Sequence, residues 1–167
     1  YFNADSFYDD LGAAQGEQSP YYRWYNFHPF PDEYDAWWGI KNLPAVNELE
    51  KSYVDYIIEG DNSIIKRWLR AGASGWRLDV ADELPDEFIV KIRAAMNEEN
   101  PDTYLLGEVW EDASHKVAYG QMRSYVLGDT LDSVMNYPLR DALIAFLMAQ
   151  KDAAAVAKEL SSLAQNY

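Results

Sequence analysis

The spacing of apolar residues divides the chain near residue 47. Before that point there is no sustained periodicity, only a mixture of Tyr, Trp, Pro, Asp and Asn, which predicts a long irregular segment over 1–47. After it, Leu49, Tyr53, Tyr56 and Ile57 recur at helical spacing until Gly60-Asp61-Asn62-Ser63 interrupts. Asn62 or Ser63 can cap a second helix through Ile64, Ile65, Trp68 and Leu69, ended by Gly72. An apolar run at 75–81 predicts a buried strand. Pro85, with Asp86 and Glu87 behind it, starts a helix whose apolar face is Phe88, Ile92, Ala95 and Met96, and Asn100-Pro101-Asp102 stops it. Residues 103–110 form a second strand. After a less regular stretch to about Asp129, 131–137 form a third. Pro138 opens a helix carrying Leu139, Leu143, Ile144, Phe146 and Leu147, and an Ala-rich helix from about Asp152 to Leu163 follows.

The order over 48–167 is therefore helix, strand, helix, strand, excursion, strand, helix. Such alternation means right-handed βαβ units on a parallel sheet, an α/β fold. In these architectures the reactive groups gather at the carboxyl ends of the strands.

Two of the predicted strands carry charges that a buried strand should avoid. The first holds Arg77 and Asp79, the second Glu108. A buried carboxylate is normally paired or used, because stranding it is costly. Residues 77 and 79 share a face by alternation, so Arg77 can orient Asp79 and keep it ionised. Glu108 stands beside Trp110 on the same face, and an aromatic, drier setting there would raise its pKa. Asp79 and Glu108 are separated by about one βα repeat, which places them side by side on one rim. Two acids so placed can serve as nucleophile and proton donor, and retaining glycosidases hold such a pair roughly 5–5.5 Å apart. The plainer alternative is a structural Arg77–Asp79 ion pair with Glu108 as a cap.

Composition narrows the partners. The formal charge of −14 disfavours nucleic acid, whose binding rests on Lys and Arg. The chain has no cysteine, which excludes disulfides and thiolate metal sites. His28 and His115 lack a second histidine at ligand spacing. No apolar run is long enough for a membrane helix, and the amino terminus does not read as a signal peptide. The compartment stays open between the cytoplasm and secretion. Aromatics reach 15%, with 13 Tyr and 6 Trp; such rings serve as core anchors or as flat platforms for sugars.

Four stretches resemble the α-amylase family of glycoside hydrolases. GWRLDVADE at 75–83 is similar to its nucleophile strand and LLGEVW at 105–110 to its acid/base strand. NLPAVNEL at 42–49 and DSVMNYPLRDAL at 132–143 resemble the neopullulanase and cyclomaltodextrinase branch. The resemblance implies a partial (β/α)8 TIM barrel, about strands 4 to 6 with their helices, from a retaining enzyme acting on α-1,4 or α-1,6 bonds of α-glucans. It implies Asp79 as nucleophile, Glu108 as general acid and base, and Arg77 as the residue holding Asp79. Asp82 and Glu83 would meet the sugar on the leaving-group side, where the branch usually has Asn-Glu. Trp110 and Asn136 would lie near the cleft, and Asn47 matches the asparagine of its motif or caps a helix. Calcium is a possible ligand, with Asp5, Asp9 and Asp10 as candidate residues; no other cofactor is implied.

The family also uses a third acid within a His-Asp motif and an earlier Asp-x-x-x-Asn-His motif, and neither occurs in this chain. A full barrel takes about 250 residues, so the 167 here are expected to be inactive alone. They are also expected to associate or swap elements through exposed strand edges. A transglycosylase of the same family and a non-catalytic glucan-binding module are the alternatives.

Overall fold

The computed structural model describes residues 1–3, 11–118 and 120–167. The chain divides into two compact units, Tyr1–Ser63 and Ile64–Tyr167.

The first unit is built on aromatic contacts rather than on regular elements. Short 3-10 turns at Ala13–Gln15, Tyr22–Trp24 and Trp37–Gly39 punctuate it. Trp24 is buried, its indole N–H donates to Ser52 Oγ at 2.9 Å, and its ring meets those of Tyr1, Tyr21, Tyr53 and Tyr56. A second cluster joins Phe2, Tyr22, Phe27, Phe30 and Tyr34. Ring packing of this kind, edge-to-face, tilted and stacked, supplies a core where periodicity is absent. The helix expected from Asn47 begins later: α1 is Lys51–Val54 and runs on as a π turn, Asp55–Glu59. Its cap is Glu50, whose carboxylate accepts the Tyr53 N–H at 3.0 Å, and not Asn47, which accepts the Glu50 N–H on its backbone carbonyl. Burial of the Tyr53 hydroxyl lifts its pKa to about 12.

The second unit holds the predicted alternation. Helix α2, Ile64–Arg70, ends at Gly72, whose φ of 104° suits a residue without a Cβ. Strand β1, Gly75–Leu78, leads through a turn to α3, Asp86–Glu99, which buries Phe88, Ile89, Ile92, Ala95 and Met96. Pro101 keeps Asn100 extended and stops α3. Strand β2, Tyr104–Gly107, follows. The excursion then forms a small antiparallel hairpin, β3 (Val117–Ala118) with β4 (Gln121–Met122). Strand β5, Ser133–Val134, precedes α4, Tyr137–Leu147, and α5, Ala153–Asn166, capped by Asp152.

Among the described residues, β1, β2 and β5 make a parallel sheet in that order. Each strand is shorter than its apolar run. The run at 75–81 leaves the ladder after Leu78 because Val80 adopts a left-handed conformation, φ 44° and ψ 51°. Gly75 permits the close approach of β1 to β2, since a Cβ there would lie 2.0 Å from the Tyr104 carbonyl oxygen. Ion pairs Lys66–Glu98 and Arg70–Glu99 tie α2 to α3. The strand order, the parallel pairing and the flanking helices are those of a partial (β/α)8 barrel. No helix of the described residues is long and apolar enough to cross a membrane.

Candidate active site

The β1–β2 register pairs Gly75 with Tyr104 and Leu78 with Gly107, an offset of 29 residues. Asp79 and Glu108 are separated by the same 29 positions (108 − 79). Extended by one residue, the ladder therefore sets the two acids across from each other on neighbouring strands, about 4.8 Å apart in backbone spacing. Both stand at the carboxyl ends of their strands.

Arg77 joins them. One of its terminal nitrogens, Nη1, binds Asp79 Oδ1; the other, Nη2, lies 3.0 Å from Glu108 Oε1. Both carboxylates thus lie within the span of one guanidinium. Their surroundings differ. The Asp79 side chain is 74% exposed and that of Glu108 only 10%.

Glu108 sits in a cage of donors. The Val80 N–H donates to Oε2 at 3.0 Å and the Tyr137 hydroxyl to Oε1 at 2.9 Å, while the Trp110 indole also bonds to the carboxylate. The Val80 amide does most to hold the Glu108 carboxyl below its ordinary pKa, and these side chains and the Arg77 charge add to it, against the opposing effect of burial. The sequence led us to expect the reverse. Trp110 acts here as a hydrogen-bond donor, and it is partly exposed rather than a dry wall.

The turn after β1 supplies the backbone donor of this cage. Val80 is β-branched, and a left-handed β-branched residue costs about 1–3 kcal/mol. In that conformation consecutive amides face the acid strand: Val80 N–H meets the Glu108 side chain and Ala81 N–H meets its backbone carbonyl at 2.9 Å. Gly107 leaves room for the turn, for a Cβ there would approach Ala81 Cβ to 3.1 Å and Leu131 Cδ1 to 2.3 Å.

The remaining sequence-predicted residues fall as follows. Asp82 lies in the 3-10 turn Ala81–Glu83, and its carboxylate receives Lys116 Nζ at 3.0 Å, both side chains being largely covered. Glu83 is half-buried in the same turn. Asn136 is exposed and caps α4, its Oδ1 accepting the Leu139 N–H at 2.9 Å. Asp5, Asp9 and Asp10, the candidate calcium ligands, lie outside the described residues; among the described residues no three His, Asp or Glu converge as a metal site.

Sequence reasoning missed several contributors. Tyr137 sits one position past Asn136 and was legible only as a strand-end aromatic. Met135 places its sulfur 3.7 Å from Arg77 Nη2. Arg123, buried in the excursion, binds Asp86 Oδ1 at 2.7 Å and the carbonyls of Asp82 and Leu84 at 3.2 and 2.6 Å. With Lys116 it fastens the excursion to the turn that follows Asp79.

Residues 18–166 match the family described as alpha amylase, catalytic domain. The chain belongs to the α-amylase family. Among curated relatives of this member, the amylopullulanase of Thermoanaerobacter thermohydrosulfuricus is 36% identical over 94% of the chain, and the cyclomaltodextrinase of a Bacillus species 32% over 81%. The chain spans 12% and 23% of those proteins. Among solved structures, the cyclic α-maltosyl-(1→6)-maltose hydrolase of Arthrobacter globiformis, in complex with cyclic α-maltosyl-(1→6)-maltose, superposes with a TM-score of 0.76 at 25% identity. That match covers 92% of this chain and 34% of that one. These relatives are of the neopullulanase and cyclomaltodextrinase kind that the motifs of this α-amylase family member resemble.

Proposed function

We propose that this segment supplies two acids of a retaining α-glucan hydrolase, with Asp79 as nucleophile and Glu108 as general acid and base. The observation that carries the reading is the sharing of Arg77 by two carboxylates on adjacent parallel strand ends. Asp79, exposed and bound to a cation, suits attack on the anomeric carbon. As the Asp79–glycosyl ester forms, Glu108 gives its proton to the departing glycosidic oxygen. Glu108 then takes a proton from water as the water oxygen attacks the anomeric carbon, the bond to Asp79 breaks and returns its carboxylate, and the sugar leaves with retained configuration. The reaction consumes only water and needs no redox group. For the first step Glu108 must start protonated, against its present donors. A bound glucan that excludes water and draws Tyr137 or Trp110 to its own hydroxyls would raise that pKa.

The His-Asp motif that carries the family's third acid is absent from this sequence. The isolated chain is therefore expected to release no sugar from starch, pullulan or a cyclodextrin beyond its Asp79→Asn control. A chimera in which residues 18–166 replace the matching segment of the Bacillus cyclomaltodextrinase tests the roles directly. It should release reducing sugar, and Asp79→Asn or Glu108→Gln within it should cut the rate by about a thousandfold or more. Undiminished release in both variants would sink the assignment.

A further inference from the structure

The first unit carries an exposed aromatic feature of its own. Residues 36–44 form a tight loop, closed by a backbone bridge between Ala36 and Pro44 and by the Trp37 N–H donating to the Leu43 carbonyl at 2.9 Å. At its turn two consecutive tryptophans stack, Trp37 on Trp38, with ring centroids 4.8 Å apart and planes 16° from parallel. Trp38 is 66% exposed, and Ile40 and Leu43 beside it are 41% and 46% exposed.

Backbone geometry shows how the loop makes this surface. Trp38 is left-handed, φ 51° and ψ 27°, and Gly39 follows with φ 74°. A bulky residue rarely adopts that region, and does so where surrounding contacts over-determine it. Here the loop bonds of Gly39 to Ala36 and of Ile40 to Trp37 hold the turn closed. The outcome is an exposed indole backed by a second indole. Every other tryptophan in the first unit is better covered: Trp24 is 4% exposed and Trp37 is half-buried.

We infer that the Trp37–Trp38 stack of the first unit is a glucan-binding platform, taking the apolar C–H face of a pyranose ring on Trp38. A pyranose carries its hydroxyls around its edge and C–H groups on its faces, so a flat ring with water at its margin is its natural partner. A net charge of −14 burdens approach by acidic partners and leaves an uncharged oligosaccharide unaffected. For its ligand class the inference rests on the proposed function, but it does not need Asp79 or Glu108 to act.

The test is electrophoresis of the 167-residue chain through native gels with and without soluble starch, paired with tryptophan fluorescence during maltoheptaose titration. The wild-type chain should be retarded by starch. Trp38→Ala should weaken binding by about tenfold or more, while Trp38→Tyr keeps a ring and should stay within about threefold. Asp79→Asn and Glu108→Gln should be retarded as the wild type is, so failure of the catalytic reading leaves this result standing. Far-UV circular dichroism confirms that each variant is folded. An unretarded wild type, a folded Trp38→Ala retarded like it, or equal loss in folded Trp38→Tyr would overturn the inference. So would a Trp38→Ala effect confined to self-association of the chain.

Discussion

Replacing Glu108 with glutamine removes the charge at which Val80, Tyr137, Trp110 and Arg77 all point. The folded carboxyl has a lowered pKa, so near that pKa the unfolded chain binds more protons than the native one. Its contribution to stability is present above the ordinary glutamate value of about 4.3 and is lost as pH falls through the lower folded value. The Tm advantage of wild type over Glu108→Gln should therefore be full at neutral pH and shrink under acid. A difference independent of pH, in paired thermal melts, would mean that the cage does not hold an ionised carboxylate. The sequence disclosed the three charged members of this site because charges stand out in apolar runs. It concealed Val80, which contributes a backbone amide, and Tyr137, whose part depends on a strand pairing with a different offset, Leu106 with Ser133.

Between elements, the excursion from Glu111 to Arg123 is held by charge more than by apolar packing. Arg123 is buried against one carboxylate and two carbonyls, and Lys116 reaches Asp82. Arg123→Ala should cost about 2 kcal/mol, since several hydrogen bonds to a charged group are lost and some acceptors are left bare. Hydrogen exchange should quicken over 111–125 and at Leu84, and unchanged protection there would show that the excursion is held by other means. Helices α2, α3 and α4 were legible to within a residue or two because Gly72, Pro85, Pro101 and Pro138 mark their ends, and Asp152 marked the start of α5, which runs three residues past the expected Leu163 to Asn166. Strand lengths were not, since apolar runs continue through Val80, where the backbone turns out of the ladder. Residues 1–47 offered no period to read; their order comes from ring-to-ring contacts between residues far apart in sequence.

At the scale of the whole molecule, β1 and β5 are the edges of the sheet among the described residues, and α4 leaves Leu143, Ile144, Phe146 and Leu147 exposed, as is Met148 just past its end. Unpaired strand edges and contiguous apolar surface favour association. Sedimentation velocity should show species larger than a monomer that grow with concentration, together with binding of an apolar dye. A clean monomer that binds no dye would count against this. The register between β1 and β2 has a consequence of a different kind. The separation of Asp79 and Glu108 is measured out by main-chain hydrogen bonds, rung by rung, and α3 merely carries the chain from one rung to the other. The helix could be lengthened, shortened or rewritten by descent without moving either acid, whereas a slip of one rung would part them and turn every side chain of the strand to the opposite face.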